Sequence, residues 1–288
     1  MRLGYLSHVA GDDPATVYRE TIELAVLAEE LGYSSFWVAQ HHAGHLGGLL
    51  PSPLVLLAAV AAQTLSIRLG TGVVAAPLQD PLRLAEDAAV LDEISGGRVE
   101  LGIGAGADPA ASARSGRDHD RRHADCRAVV DRLCERLGEP DLTPARPTLR
   151  DRIWWATGSS SGVDEAAARG IGVVSGRPAR SPDGADTGVA ADLARYWTYA
   201  AGPPRVLLSR PVHPGRTPDA VAAEWADDPA MPWADEILVQ AQPATAAGQV
   251  HRTTMRMVAE HLGPLLAAGG PAPPAAGTGP VVSRAGAR

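Results

Sequence analysis

The feature that most limits how this chain can fold is a repeated switch of hydrophobic period. Short β-type runs alternate with longer amphipathic segments from start to finish, eight times over. Strands separated by helix-length spacers pair in parallel, and each spacer crosses over to cover a sheet face. The strand runs lie near Leu3–Leu6, Ser35–Ala39, Ile67–Val74, Arg98–Ile103, Ile153–Ala156, Gly172–Val174, Arg205–Leu208 and Glu236–Val239. Helices are expected near Thr16–Leu31, Pro53–Thr64, Leu82–Ile94, His123–Leu137, Val163–Arg169, Val189–Ala200, Pro218–Ala226 and Thr245–Ala268. Gly32, Gly96–Gly97 and Gly170 follow helices where a left-handed C-terminal turn is needed. Eight such units in 288 residues predict the α/β class, as a single (β/α)8 TIM barrel over residues 1–268. From Gly269 to Arg288 the chain is rich in Gly, Pro and Ala with no apolar periodicity, and a disordered tail is expected. The punctuated stretch Gly176–Gly188 reads as a mobile loop at the barrel mouth.

Composition narrows the chemistry. Hydrophobic residues make up 45% of the chain but aromatics only 4%, with Phe36 the single Phe, so the core is aliphatic, as a layered barrel interior requires. The formal charge is -7, whereas a nucleic-acid binder shows a basic excess. All 26 basic residues are Arg, so neither a phosphate ligand nor a Schiff-base nucleophile can be Lys. Cys126 and Cys134 share one predicted helix and have no metal or redox spacing; they read as ordinary reduced side chains. The start, MRLGYLSHV, has no signal-type apolar core, and the runs 54–62 and 262–268 are too short to span a bilayer. No membrane association and a cytoplasmic location are the expectations.

Three stretches carry the candidate chemistry. Ser35-Phe36-Trp37-Val38-Ala39-Gln40-His41-His42 ends the second strand at the carboxyl rim, where the functional residues of this fold gather. Side chains alternate along a strand, so one of His41 and His42 enters the mouth, and parity alone leaves open which. His8, His41, His42 and His45 also invite a metal reading, but no carboxylate lies within the histidine run and no metal site is expected. After the fifth strand, Thr157-Gly158-Ser159-Ser160-Ser161-Gly162 opens a helix. Its free amides and hydroxyls suit a phosphate, and simple helix capping is the alternative. In the third strand, Gly72 lacks a side chain where a flat ring could lie against the backbone. Gly102, Gly104 and Gly106 imitate part of a dinucleotide fingerprint, but the spacing is wrong and Asp108-Pro109 stands where the helix should begin. Arg117-Asp118-His119-Asp120-Arg121-Arg122-His123 reads as a solvated helix entrance, with binding of an anionic substrate as the alternative.

Several of these runs resemble the bacterial luciferase-like, flavin-dependent monooxygenases: residues 36–42, Leu50-Pro51-Ser52-Pro53, residues 68–72, residues 80–87 and residues 91–98. The likeness is strong over residues 1–107, returns at 153–172 and is faint at 236–266, and it is closest to a short FMN-dependent subgroup. It implies a luciferase-like barrel that binds reduced FMN at its mouth and acts with dioxygen on a small organic substrate. It further implies a separate flavin reductase that supplies the FMN, and a homodimer packed through helices near the second and third strands. By this resemblance His41 is the catalytic histidine, and Thr157, Gly158, Ser159 and Ser160 bind flavin. Gly72 and Val73 form a bulge beneath the flavin ring, often with a non-proline cis peptide. His8, Trp37 and Gln40 are assigned to the substrate pocket. Three departures stand out: Gln40 replaces the usual Glu, Ala105 replaces an Arg that helps bind phosphate in the luciferases, and the chain is short after the fifth strand. A deazaflavin-dependent hydride-transfer enzyme and a catalytically silent barrel serving as a partner subunit are the alternatives.

Overall fold

The computed structural model describes residues 1–269. Of the expected tail, all but Gly269 lies outside the described residues, and Gly269 closes the last helix. The strands are β1 (Arg2–Ser7), β2 (Ser35–Val38), β3 (Arg68–Thr71), β4 (Val74–Ala75), β5 (Val99–Gly104), β6 (Ile153–Ala156), β7 (Gly172–Ser175), β8 (Val206–Val212) and β9 (Glu236–Ala241). Every pairing between these strands is parallel, and β3 and β4 both pair with β5, so the two segments occupy one barrel position and the sheet closes with eight. The expected third strand is therefore broken after Thr71, at a cis peptide between Gly72 and Val73.

The helices are α1 (Pro14–Glu30), α2 (Pro53–Ala61), α3 (Pro81–Ile94), α4 (Pro109–Arg114), α5 (Arg122–Leu137), α6 (Ser160–Arg169), α7 (Val189–Tyr199), α8 (Pro218–Ala226), α9 (Gly248–Met257) and α10 (Gly263–Gly269). The last expected helix is two, joined by a π-helical turn at Val258–Leu262. Sequence reading missed α4, because a helix does begin at Pro109, with the Asp108 carboxylate accepting from the Ala110 amide. The dinucleotide reading still fails, since its strand belongs to a closed barrel. A Cβ on Gly102 would stand 2.1 Å from the Thr71 carbonyl oxygen, so that glycine admits the broken third strand rather than a cofactor.

The barrel interior reconciles few aromatics with a full core. Trp37 and Trp154 meet edge to face at 6.2 Å inside the barrel, and glycines make room for them. A Cβ on Gly70 would lie 2.0 Å from the Trp37 indole, and one on Gly172 would lie 2.4 Å from Trp154. Each indole N–H is satisfied, Trp37 by Ser35 Oγ at 2.7 Å and Trp154 by Glu100 Oε2 at 2.6 Å. Leu6, Ala39, Val174, Leu207 and Leu238 complete this apolar layer, which closes the mouth from below. The larger apolar layer lies between sheet and helices.

The motif Ser95-Gly96-Gly97-Arg98 has a structural role. Arg98 is 8% exposed, and its guanidinium donates to the carbonyls of Ala61, Thr64, Ile67 and Ser95, which a cation near two helix C-termini does well. The loop after β7 is closed by its own hydrogen bonds, Ser181 to Ala185 and Thr187 to Pro178. No helix among the described residues is long and apolar enough to cross a membrane.

Candidate active site

Strand parity decides which side chains reach the mouth. Leu6, Trp37, Leu207 and Leu238 point inward. Two residues further along, the same faces present His8, Ser209 and Gln240, and the loop after β2 presents His41. These side chains form a chain of contacts. His8 Nδ1 lies 3.5 Å from His41 Nε2, His8 Nε2 lies 3.0 Å from Gln240 Oε1, and Gln240 Nε2 donates to Ser209 Oγ. His42 borders the same space but stands outside this chain of contacts, and its Nε2 is buried without a partner.

His8, Gln40, His41, His42, His45, Gly72, Val73 and Asp108 line part of a cavity of about 210 Å³. Burial, reinforced by His8, His45 and His42, pulls the His41 pKa down to about 4, against a smaller opposing pull from Asp108. His41 is therefore a neutral imidazole at pH 7, able to accept a proton at one nitrogen while holding one at the other. Among the described residues no group of three metal-ligating side chains is placed to hold an ion.

Gln40 is a brace as well as a wall of this cavity. Its Oε1 accepts from the Ala75 amide and its Nε2 donates to the Pro51 carbonyl, both at 2.8 Å. One neutral amide thus ties β4 to the loop before α2. Just below the break, a Cβ on Gly72 would lie 2.6 Å from Leu6, so only glycine lets the backbone rest on that side chain.

A second cavity, of about 660 Å³, adjoins the first, and Val73, Ala105, Gly106 and Ala107 line both. One wall is the turn into α6. Ser159 caps the helix, accepting from the Gly162 amide at 3.2 Å, and its hydroxyl lies 3.3 Å from Thr157 Oγ1 and 3.2 Å from Ser161 Oγ. Capping and cavity lining are thus both present. Gly162 is needed because a Cβ there would lie 2.0 Å from Thr157 Oγ1. The amides of Ser160 and Ser161, in the first turn, have no acceptor within the helix. The lining also includes His119, Arg122, His123 and Arg127, with Glu165 on α6 as the acidic residue. Burial lowers the His123 pKa, and Arg122, Arg127 and His119 lower it further, which marks a positive local potential. Such a lining, with its free amides and hydroxyls, fits an anion of phosphate type.

The structure thus brings His8, Gln40, His41, Gly72, Val73, Thr157, Gly158 and Ser159 to two adjoining cavities on one rim. Two side chains expected there are placed elsewhere. Trp37 is 1% exposed and belongs to the layer beneath the mouth, because glycines at 70 and 102 draw the indole into the barrel axis. Ser160 turns its hydroxyl to Asp192 Oδ2 at 2.8 Å, so Ser161 lines the cavity in its place. Ser161 belongs to the expected phosphate turn, Arg122 and His123 belong to the run expected as a solvated entrance or an anion-binding segment, and Arg127 carries no expectation from sequence. Their helical spacing, Arg122 to Cys126 and His123 to Arg127, was the available signal that one face of α5 looks into the site.

A closed parallel barrel whose carboxyl rim pairs a histidine-lined cavity with a cationic, serine-edged one has its candidate site where this fold gathers its functional residues. The chain belongs to the luciferase-like monooxygenase family, whose sequence model matches residues 1–277. The 4-hydroxyprotoasukamycin monooxygenase of Streptomyces nodosus subsp. asukaensis is 32% identical over 222 residues, 76% of this chain and 54% of that protein. The oxygenase component of the flavin-dependent trigonelline monooxygenase of Acinetobacter baylyi is 42% identical over 91 residues, 32% of this chain and 25% of that protein. The chain thus spans about half the length, or less, of these curated relatives. Among solved structures, monooxygenase RslO1 from Streptomyces bottropensis has a TM-score of 0.79 at 24% identity, over 92% of this chain and 99% of that one. The oxygenating constituent of 3,6-diketocamphane monooxygenase from Pseudomonas putida, in complex with FMN, has a TM-score of 0.70 at 18% identity, over 92% and 98%. At these identities the structural likenesses show the fold.

Proposed function

We propose that this chain is the oxygenase of a two-component flavin-dependent monooxygenase, working in the cytoplasm on a small organic substrate with reduced FMN from a separate reductase. The carrying observation is the junction of two unlike cavities at Val73 and Ala105–Ala107, one edged by His41 and the other by cations and hydroxyls. The phosphate would be held by Thr157, Ser159, the amides of Ser160 and Ser161, and Arg122 with Arg127. Gly72 and Val73 would lie beneath the ring, and Gly158 would leave the cradle open. When bound, reduced flavin supplies the electrons and the oxygen reactivity.

The chain's own residues supply position, dryness and proton control. Trp37, Trp154 and Leu238 seal the floor against water. His41, neutral near pH 7, takes a proton at Nδ1 while its Nε2 remains turned to His8. The A. baylyi relative's name, an oxygenase component, favours a reductase partner here as well. Spectral titration with reduced FMN tests the reading, together with peroxide release measured with and without candidate substrates. Tighter binding of a reduced deazaflavin would transfer it to hydride transfer. Failure to bind either at tens of micromolar would leave a silent partner barrel.

The same reading includes a homodimer. Val55 and Leu65 on and just after α2 are 73% and 91% exposed, and Leu82, Val90 and Ile94 on α3 are also exposed. Because the inner face of α2 is already apolar, this helix is hydrophobic all round, and such helices are covered on every side. A second copy of the chain is the proposed cover.

A further inference from the structure

We infer that Gln240 is a positioning residue that fixes the proton tautomers of His8 and, through it, of His41. The inference deepens the proposed role of His41. It begins with the orientation of the Gln240 amide. Its Nε2 donates to Ser209 Oγ, and the Gln242 amide nitrogen approaches its Oε1 at 3.5 Å, so the carbonyl oxygen is the end turned to His8. An amide oxygen only accepts, so His8 Nε2, 3.0 Å away, carries the His8 proton. A neutral imidazole holds one ring proton, and His8 Nδ1 is then a lone pair. The atom nearest this lone pair is His41 Nε2, at 3.5 Å, with the ring planes inclined by 30° and their centroids 5.7 Å apart. Only an N–H complements it. The His41 proton therefore sits on Nε2, and Nδ1 is left as the free base. Burial of His41 and its histidine neighbours keep the second proton off, so the lone pair at Nδ1 is present at working pH.

Gln240 does not line the His41 cavity and acts two residues away from the reacting atoms. It selects which nitrogen of His41 is basic, as partners of metal-bound histidines select theirs.

The test is Gln240→Glu, which keeps the shape and replaces an amide by a carboxylate. A carboxylate next to His8 favours the imidazolium, which donates at both nitrogens. His41 Nε2 must then accept, and its proton moves to Nδ1. In long-range ¹H–¹⁵N spectra of the cofactor-free protein near pH 7.5, wild type should show pyrrole-type Nε2 and pyridine-type Nδ1 for both rings. In the variant the His41 pattern should invert and His8 should show two protonated nitrogens. Gln240→Leu, which offers no acceptor, should leave His8 a mixture of tautomers and carries the test if the Glu variant does not fold. FMN affinity should stay within about twofold, while turnover falls at least about tenfold, a modest share of what a general base contributes. His8 protonated at Nδ1 in wild type, or His41 signals unmoved in both variants, overturns the inference. Loss of the tautomer pattern bears on Gln240 alone. An intact wild-type pattern with undiminished turnover in His41→Ala would instead remove His41 from the mechanism, and failure to bind FMN would overturn the proposed function.

Discussion

Replacing Arg122 by Gln should weaken FMN binding about tenfold while leaving riboflavin, which lacks the phosphate, untouched. Arg122 is half-buried at the wall of the larger cavity, and among the described residues its hydrogen-bond partner is the neutral His119 carbonyl at 3.1 Å, which leaves its charge for an incoming anion. A unit charge about 4 Å from a phosphate oxygen is worth about 4 kcal/mol at the effective dielectric of a protein surface. Net values for hydrogen bonds to charged groups are about 1.5–3 kcal/mol. Partial exposure and salt place Arg122 near the lower end, about 1.5 kcal/mol, or about tenfold in Kd. Arg127 is 42% exposed and already shares its charge with Glu165 at 3.8 Å, so Arg127→Gln should cost less, about threefold by the same reasoning. The assay is fluorescence titration of both flavins at two salt concentrations, with the melting temperature as the check on folding. The Arg122 effect should shrink at high salt. Equal weakening of FMN and riboflavin, or an FMN Kd within twofold of wild type, would refute the assignment of α5 to the phosphate.

Four further variants carry expected outcomes. His41→Asn should bind FMN normally yet lose substrate-dependent turnover, and wild-type turnover should show no ionisation of His41 between pH 6 and 8, as its pKa of about 4 requires. Because that pKa is depressed, the unfolded chain takes up a proton first as pH falls from about 6.5 towards about 4. Wild type should therefore lose stability relative to His41→Asn across that window, with His8, His42, His45 and Asp108 present in both; parallel melting curves would sink the point. Gly102→Ala should destabilise by at least about 1–3 kcal/mol, because its Cβ would meet a backbone carbonyl at 2.1 Å that cannot rotate away, and a melting temperature within a degree of wild type would contradict it. The pair Val90→Glu and Ile94→Glu should convert a dimer to monomers in sedimentation analysis, whereas an unchanged mass would remove α3 from the interface. Gln40→Glu should lower the melting temperature, since a carboxylate facing the Pro51 carbonyl cannot donate to it; a rise would show that the amide is no brace.

The barrel was legible because its signal is periodic and redundant. Each strand run and crossover helix argues for the same parallel closure, so an error of a few residues at Thr16 or Thr245 changes nothing. What escaped was local and non-periodic. Helix α4 is too short for a hydrophobic pattern, and the break at Gly72–Val73 leaves none either, so it was expected only through the family resemblance. In the site, His41 was visible because it closely follows a strand, and its contact with His8 tells it from His42, which lines the same cavity. Trp37 was misplaced for the opposite reason. Its interior position depends on Gly70 and Gly102, two strands with no sequence relation to it. Ser160 and Ser161 show the same limit, since a rotation of one residue at a helix start decides whether a hydroxyl meets Asp192 or the cavity.

Two of the three departures from the family pattern gain a physical sense from this geometry. At position 40 the backbone offers one acceptor and one donor, the Pro51 carbonyl and the Ala75 amide, and only an amide side chain satisfies both. Glutamine there holds the wall of the histidine cavity without adding a negative charge near His41, whose neutral form the mechanism uses. At position 105 a side chain larger than alanine would enter the shared lining of the two cavities. Under the proposed function, the positive charge missing from that loop comes from α5 instead, reaching the same cavity from its outer wall. The phosphate-facing charge then rests on a helix anchored in the core by Val130 and Leu133, both of them buried. Affinity for the phosphate should consequently survive changes in the loop after β5 and fail with changes on the exposed edge of α5.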